Sequence, residues 1–261
     1  MSRNIKLTLE YDGTAYHGWQ SQRGSGKATV QDALEGALTI LAKEHIAVAA
    51  SGRTDAGVHA LGQVANFTTE SPIPPEAWAP AVNRLLPADV RAISSDEVPP
   101  DFHARHSARG KTYRYLILNR RMPSALLRDR VWHVDRKLNV TAMRKAAAVL
   151  IGRHDFSAFR SASCNAKTPH RNLRSLSIRK RGEIIEIVLE ADAFLMHMAR
   201  NIVGTLVEVG LGRHDTAGVK AILRSRNRTR AGRTAPSHGL CLISVTYAVR
   251  RQQAVSKPCT F

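Results

Sequence analysis

Alternating apolar residues and helically spaced apolar residues succeed one another twice along this chain, in the same order. That doubled pattern constrains the fold more than any other feature. Ile5, Leu7, Leu9 and Tyr11 alternate with Lys6, Thr8 and Glu10, as in a strand with one buried face, and Asp12-Gly13 closes it with a turn. Thr29 stands as an N-cap with Asp32 three residues on, and Val30, Ala33, Leu34, Ala37, Leu38 and Leu41 follow along one helical face. A short strand at about 46–51 and a strand at 63–69, stopped by Pro72, Pro74 and Pro75, come next. A helix at about 76–86 and a strand at about 90–98 complete a β-α-β-β-α-β run.

Pro99-Pro100 marks a linker, and the same order then returns. A strand at 111–118 puts Tyr113 and Tyr115 on one face, with Thr112 and Arg114 on the other. Residues 119–138 read as irregular and basic. Met143, Ala146, Ala147, Leu150 and Ile151 make a helical stripe, and 173–180 and 183–190 read as a hairpin turning near Arg181-Gly182. Phe194, Met198, Ile202, Leu206 and Val209 predict a helix ended by Gly210 and Gly212, and a short helix follows near 217–223. Ile243, Val245, Tyr247 and Val249 alternate as the last strand. The pattern predicts an α+β protein of two ferredoxin-like halves, 1–104 and 105–261, with helices over one face of each sheet. Where the two sheets meet, a cleft between them suits a ligand.

Charge divides along the same line. The whole chain of 261 residues carries a net charge of +18. Residues 1–104 hold 8 basic and 12 acidic side chains, net −4, and 105–261 hold 31 and 9, net +22. The basic residues cluster: 103–121 contains six Lys/Arg and no acid, and 224–233 contains five arginines and no acid. Such asymmetry points to a polyanion bound by the second half, with the first half bringing something to it. The Gly/Ser/Lys loop Arg23-Gly24-Ser25-Gly26-Lys27 suits a mobile arm touching phosphates. No apolar run is long enough for a membrane span, and Met1-Ser2-Arg3-Asn4 shows no signal-peptide pattern. Cys164, Cys241 and Cys259 are scattered, which supports neither a disulfide framework nor a zinc site, and the expected compartment is the reducing cytoplasm.

The stretch 49–64 is the place for chemistry. Between Gly52 and Gly62 lie Arg53, Thr54, Asp55 and His59, and the glycines allow tight turns and close approach of other backbone. Asp55 falls on a loop at the end of a strand, where catalytic groups concentrate, although for an isolated Gly-x-x-Asp-x-Gly an Asx-turn is the more ordinary role, and it is the family resemblance of the surrounding string that shifts the balance. His59, His103 and His106 lack the spacing of a metal site, and no Gly-x-Ser-x-Gly is present.

Ser51-Gly52-Arg53-Thr54-Asp55-Ala56-Gly57-Val58-His59 resembles the tRNA pseudouridine synthase A family. Glu10-Tyr11-Asp12-Gly13-Thr14-Ala15-Tyr16-His17-Gly18-Trp19-Gln20 is similar to that family's N-terminal signature. Asp101-Phe102-His103-Ala104-Arg105, Tyr113-Arg114-Tyr115 and Asp155-Phe156-Ser157-Ala158-Phe159-Arg160 are similar to later family segments, in order. So are Thr168-Pro169-His170-Arg171 and Met198-Ala199-Arg200-Asn201-Ile202-Val203-Gly204. Asp192, His170 and Cys241 depart from the residues usual at those positions.

The resemblance implies the pseudouridine synthase fold, two ferredoxin-like halves sharing a central antiparallel sheet with a basic cleft between them. It implies isomerisation of uridine to pseudouridine at positions 38, 39 and 40 of the tRNA anticodon arm, by a homodimer, with no cofactor and no metal. By resemblance Asp55 is the essential carboxylate, Arg200 its partner, and Tyr113 the ring that stacks on the target base. Arg53 is a candidate for the flanking phosphate or for extruding the base. His103, Arg105, Lys111, Arg114, Arg160 and Arg171 are candidate RNA contacts. The alternative is a non-catalytic tRNA-binding or tRNA-folding protein of the same fold, which has no need of a carboxylate in a basic cleft.

Overall fold

The computed structural model of the protein describes residues 2–248 apart from Arg23 and Ser25. Those two residues of the Gly/Ser/Lys loop, Val249 of the last strand and Cys259 lie outside the described residues. The first run contains β1 (Arg3–Tyr11), α1 (Val30–Ala42), β2 (Ala49–Ala50), β3 (His59–Thr69), α2 (Trp78–Val82) and β4 (Val90–Val98). The second contains β5 (Ala108–Asn119), β6 (Trp132–Val134), α3 (Val140–Ala148), β7 (Gly152–Asp155), β8 (His170–Arg181), β9 (Ile184–Ala191), α4 (Met198–Gly210), α5 (Thr216–Ser225) and β10 (Leu240–Tyr247).

All the strands join one sheet, ordered β4-β1-β3-β10-β5-β9-β8-β7, with β2 beside β3 and β6 beside β5. Numbered within its own run, each set has the ferredoxin-like order 4-1-3-2: β4-β1-β3-β2 and β10-β5-β9-β8. Within each set these strands pair antiparallel. The seam between the sets is parallel and short: Cys241 pairs with His59 and Leu242 with Ala60. β2 occupies the rest of that edge of β3, pairing Ala49 with Asn66 and Ala50 with Ala65. A single hydrophobic cluster, from Ile5 to Leu242, runs through both sets.

Local chemistry explains the elements. Thr29 caps α1, its hydroxyl accepting from the Asp32 amide at 3.2 Å. Asn139 and Asp215 cap α3 and α5 in the same way. The helix expected over 76–86 is shorter, a 3-10 turn at Pro75–Ala77 running into α2. Asn83 ends it by turning its side chain to β4, where its amide and carbonyl bond the two sides of Ala92 at 2.8 Å each. The strand expected over 46–51 is reduced to the two residues of β2. β6 lies within the stretch expected to be irregular, and β7, four residues with no alternation, has no counterpart in the sequence pattern.

α4 carries the largest correction. Phe194 fits its helical spacing, yet the helix begins at Met198, because His197 takes a left-handed φ of 62° and the chain before it cannot continue the helix. Twelve of its thirteen residues are buried. Gly204 makes this possible: a Cβ there would stand 1.7 Å from the Arg233 carbonyl oxygen, so the segment before β10 lies directly on the helix. The Ala235 amide donates to the Arg200 carbonyl at 3.2 Å and fastens the two together.

Candidate active site

The loop between β2 and β3 is held at nearly every residue. The Ser51 amide donates to Val64 O at 2.7 Å, and its hydroxyl to Gln63 Oε1 at 2.7 Å. Gln63 Nε2 donates to Gly52 O at 3.0 Å. The Thr54 hydroxyl meets Tyr11 OH at 2.8 Å, and Thr54 O accepts from the Trp19 amide at 3.1 Å. Tyr16 O takes the Gly57 amide at 3.2 Å, with Gly57 at φ 76°. The aromatics of the N-terminal segment are therefore the wall behind this loop, and Trp19 is core, 2% exposed.

Asp55 projects from the loop onto the start of α4. Arg200 Nη1 donates to Asp55 Oδ2 at 2.7 Å, joining residues 145 apart. Arg200 Nε donates to Ala235 O at 2.8 Å, so the guanidinium is aimed from two sides. The pair is sheltered but open at one edge, with 27% of the Asp55 side chain and 15% of the Arg200 side chain exposed. His197 Nε2 is the second basic group at the carboxylate, 3.5 Å from Oδ2. The sequence pattern does not reveal it: no motif marks it, and what singles it out is its backbone, which for a residue with a Cβ costs about 1–2 kcal/mol.

Tyr113 and Tyr115 share a face of β5 but differ in use. The Tyr115 hydroxyl donates to Pro236 O at 2.7 Å, its ring lies edge-on to Trp132, and it is fully buried. Tyr113 is 8% exposed, with Phe194 edge-on at 4.9 Å. Burial holds its phenol protonated well above the ordinary range, and the charges of Tyr11 and Asp55 add to that. Tyr113 thus lies at Asp55 and Tyr115 in the core.

The remaining candidates separate. Arg53 is exposed beside Asp55, its Nε donating to Gln20 Oε1 at 2.9 Å. Lys111, expected among the RNA contacts, is half-buried: it shares the Tyr113 face of β5 and donates from Nζ to Ser51 O at 2.7 Å. Arg114 is on the opposite face, with Nε buried and unbonded among the described residues. His103 and His106 pack ring on ring at 4.3 Å, and Arg105 is exposed next to them. Burial, then His106, lowers the His103 pKa. Arg171 bonds the Thr168 and His170 carbonyls at 2.9 and 2.6 Å. Arg160 lines a hollow of about 350 Å³ with Ser157, Ser161, Arg226 and Arg228. His59 is a joint: Nε2 lies 2.8 Å from Asp129 O and 3.1 Å from His238 O, and Nδ1 lies 3.1 Å from the Gly13 amide.

Among the described residues no helix is long and apolar enough to cross a membrane. The arrangement offers a carboxylate fixed in direction by a guanidinium, an aromatic ring beside it and cations around it. The chain that builds it matches known proteins over most of its length. A sequence profile described as tRNA pseudouridine synthase matches residues 8–107 and 146–248. The chain is 50% identical over 245 residues to tRNA pseudouridine synthase A of Acetivibrio thermocellus, covering 94% of this chain and all of that one. It is 50% identical over 244 residues to the protein of that name from Myxococcus xanthus, covering 93% of this chain and 91% of that one. With the one from Methylobacterium nodulans it shares 48% over 254 residues, covering 97% and 98%.

Proposed function

The chain belongs to the tRNA pseudouridine synthase family and is an isomerase that converts uridine to pseudouridine in tRNA; on that premise we propose that it acts at positions 38, 39 and 40 of the anticodon arm. The reaction breaks the glycosidic C–N bond, turns the base and forms a C–C bond, while C5 loses a proton and N1 gains one. The sum is an isomerisation that consumes no co-reactant, and the reading includes no cofactor or metal.

Asp55 is the reacting carboxylate, whether it attacks the ribose, attacks the base or takes a ribose proton. The single observation that carries this is the 2.7 Å contact between Asp55 and Arg200. A carboxylate sheltered from water is costly unless paired, and this pair offsets that cost and aims the group. The Tyr113 ring stacks on the extruded base, a contact of about 1–3 kcal/mol, with its hydroxyl near C5. Arg53, exposed at the rim, takes a flanking phosphate or helps extrude the base. The half from 105 to 261 carries the RNA, with Arg105, Arg160 and Arg171 as phosphate contacts, and the half from 1 to 104 brings the carboxylate, with His103 as a further RNA contact at its end. We place the enzyme in the cytoplasm as a homodimer in which one tRNA contacts both subunits. Incubation with unmodified tRNA, followed by nucleoside analysis mapped to position, tests the reading: pseudouridine elsewhere than 38–40, or none, refutes it.

A further inference from the structure

The half-buried cation behind the Asp55 loop has no part in the isomerisation chemistry itself. Lys111 donates to the Ser51 carbonyl at 2.7 Å, and no carboxylate lies within ion-pair range of it among the described residues. Its neighbour across the turn does a similar task with a neutral group, since Gln63 Nε2 holds the next carbonyl, Gly52 O, at 3.0 Å. Two successive carbonyls are thus gripped from two sides, three and four residues before Asp55. Removing an ammonium from water costs far more than removing an amide, so a mere tie does not call for lysine. Gly52 is shaped to it: a Cβ there would stand 2.4 Å from Lys111 Nζ. The backbone of Gly52 has no left-handed φ, so the turn itself does not call for glycine, and a Cβ there would displace the Lys111 ammonium.

We propose that Lys111 is a positioning residue: its ammonium, seated on Ser51 beneath Gly52, fixes the turn that aims Asp55, and loss of its proton slackens that turn. Burial pushes Lys111 down to about 8, and Arg105, from the segment before β5, adds to it. The other charged groups gathered at this turn are Arg53 and Asp55 of the loop and Arg200 and His197 at the start of α4. Tyr113 and Tyr11 face it from β5 and β1, both held protonated by burial. Arg174 and Glu190 pair with each other at 3.6 Å, Glu190 lying beside Thr112 on the other face of the sheet. Below about pH 8 the contact is a charge-assisted hydrogen bond. Above it the neutral amine still donates, at roughly half the strength.

The inference rests on Asp55 being the reacting carboxylate, and two measurements keep the two ideas apart. The first is hydrogen exchange at the amides of Ser51, Gly57 and Val58, which are bonded on either side of the turn. Lys111→Met, which keeps volume, and Gly52→Ala, which drives Nζ off its seat, both speed exchange about tenfold or more. The second is single-turnover isomerisation of unmodified tRNA across the alkaline range. Wild type declines above about pH 8, and Lys111→Arg, charged throughout, holds its rate further. Lys111→Met is slower by about 10²-fold with tRNA affinity unchanged, as expected of a misplaced reacting group. Unchanged exchange in both variants, or matching pH profiles and rates for wild type and Lys111→Met, overturns the proposal. A wild-type protein that forms no pseudouridine refutes the Asp55 reading instead, and the exchange result still decides whether Lys111 holds the turn.

Discussion

The Asp55 loop and the arginine run from 224 to 233 both gather charged side chains, and the fold uses them differently. In the loop every fixed atom serves to direct one side chain outward. In the arginine run only Arg228 is partly buried, and Arg226 and Arg233 stay exposed although tied to neighbouring groups. Arg228 Nη2 donates to Asn201 Oδ1 and Thr234 Oγ1, both at 3.0 Å, and so locks α4 to the segment lying on it. Arg226 Nε pairs with Asp155 at 3.1 Å, and Arg233 lies 4.7 Å over the Trp132 ring. Arg224 and Arg230 remain exposed, lining a hollow of about 420 Å³ with Lys220. A cluster of like charge in a sequence therefore does not mark a single surface.

The sharpest way to break this contrast is Asp55→Ala. Pseudouridine formation is abolished while tRNA affinity stays within about tenfold, 1.4 kcal/mol, as read by nucleoside analysis and filter binding; retained turnover in a clean preparation removes the loop from the chemistry. Tyr113→Phe comes next, keeping the ring and losing the hydroxyl. Single-turnover rates fall about 10²–10⁴-fold with binding intact, whereas Tyr115→Phe loses only the bond to Pro236 and lowers stability by about 0.5–1.5 kcal/mol. Within the arginine run, Arg228→Ala leaves the fully buried Asn201 without one of its donors and lowers stability by about 1–3 kcal/mol, seen as a lower Tm. The smallest effect belongs to Arg224→Ala with Arg230→Ala. Their Tm is that of wild type, but the slope of log affinity against log salt falls by about 0.7–0.9 for each phosphate no longer neutralised. A lower Tm here, or an unchanged one in Arg228→Ala, reverses the assignment.

Much of this was legible in the sequence, for physical reasons. Alternation over Ile5–Tyr11 and stripes such as Val30, Leu34 and Leu38 are imposed by burial on one face, so they report strands and helices directly. The residues of the site were recognisable because their strings resemble a family, not because spacing requires them. What stayed hidden depends on contacts between distant segments. β2 needs only two residues because β3 supplies its partner, and β7 is fixed by pairing to β8. Phe194 satisfies a helical period yet serves as the wall beside Tyr113. His197 and Lys111 carry no signal in their own neighbourhoods; one is placed by a left-handed turn and the other by the space above Gly52.

The seam between β3 and β10 also sets a timetable for the nascent chain. β10 is the last strand described, yet its place is between β3 and β5. During synthesis the first four strands are complete by Val98, while Leu240 follows Thr69 by roughly 170 residues, about 10–35 s at ribosomal speed. For that interval the edge of β3 at His59 and Ala60 has no partner, a template for pairing with a wrong chain. β2, lying along the other part of the same edge, shortens what is bare. Arrival of β10 closes the edge and brings Ala235 onto Arg200, so the partner of Asp55 is fully seated only once the last described strand has been made.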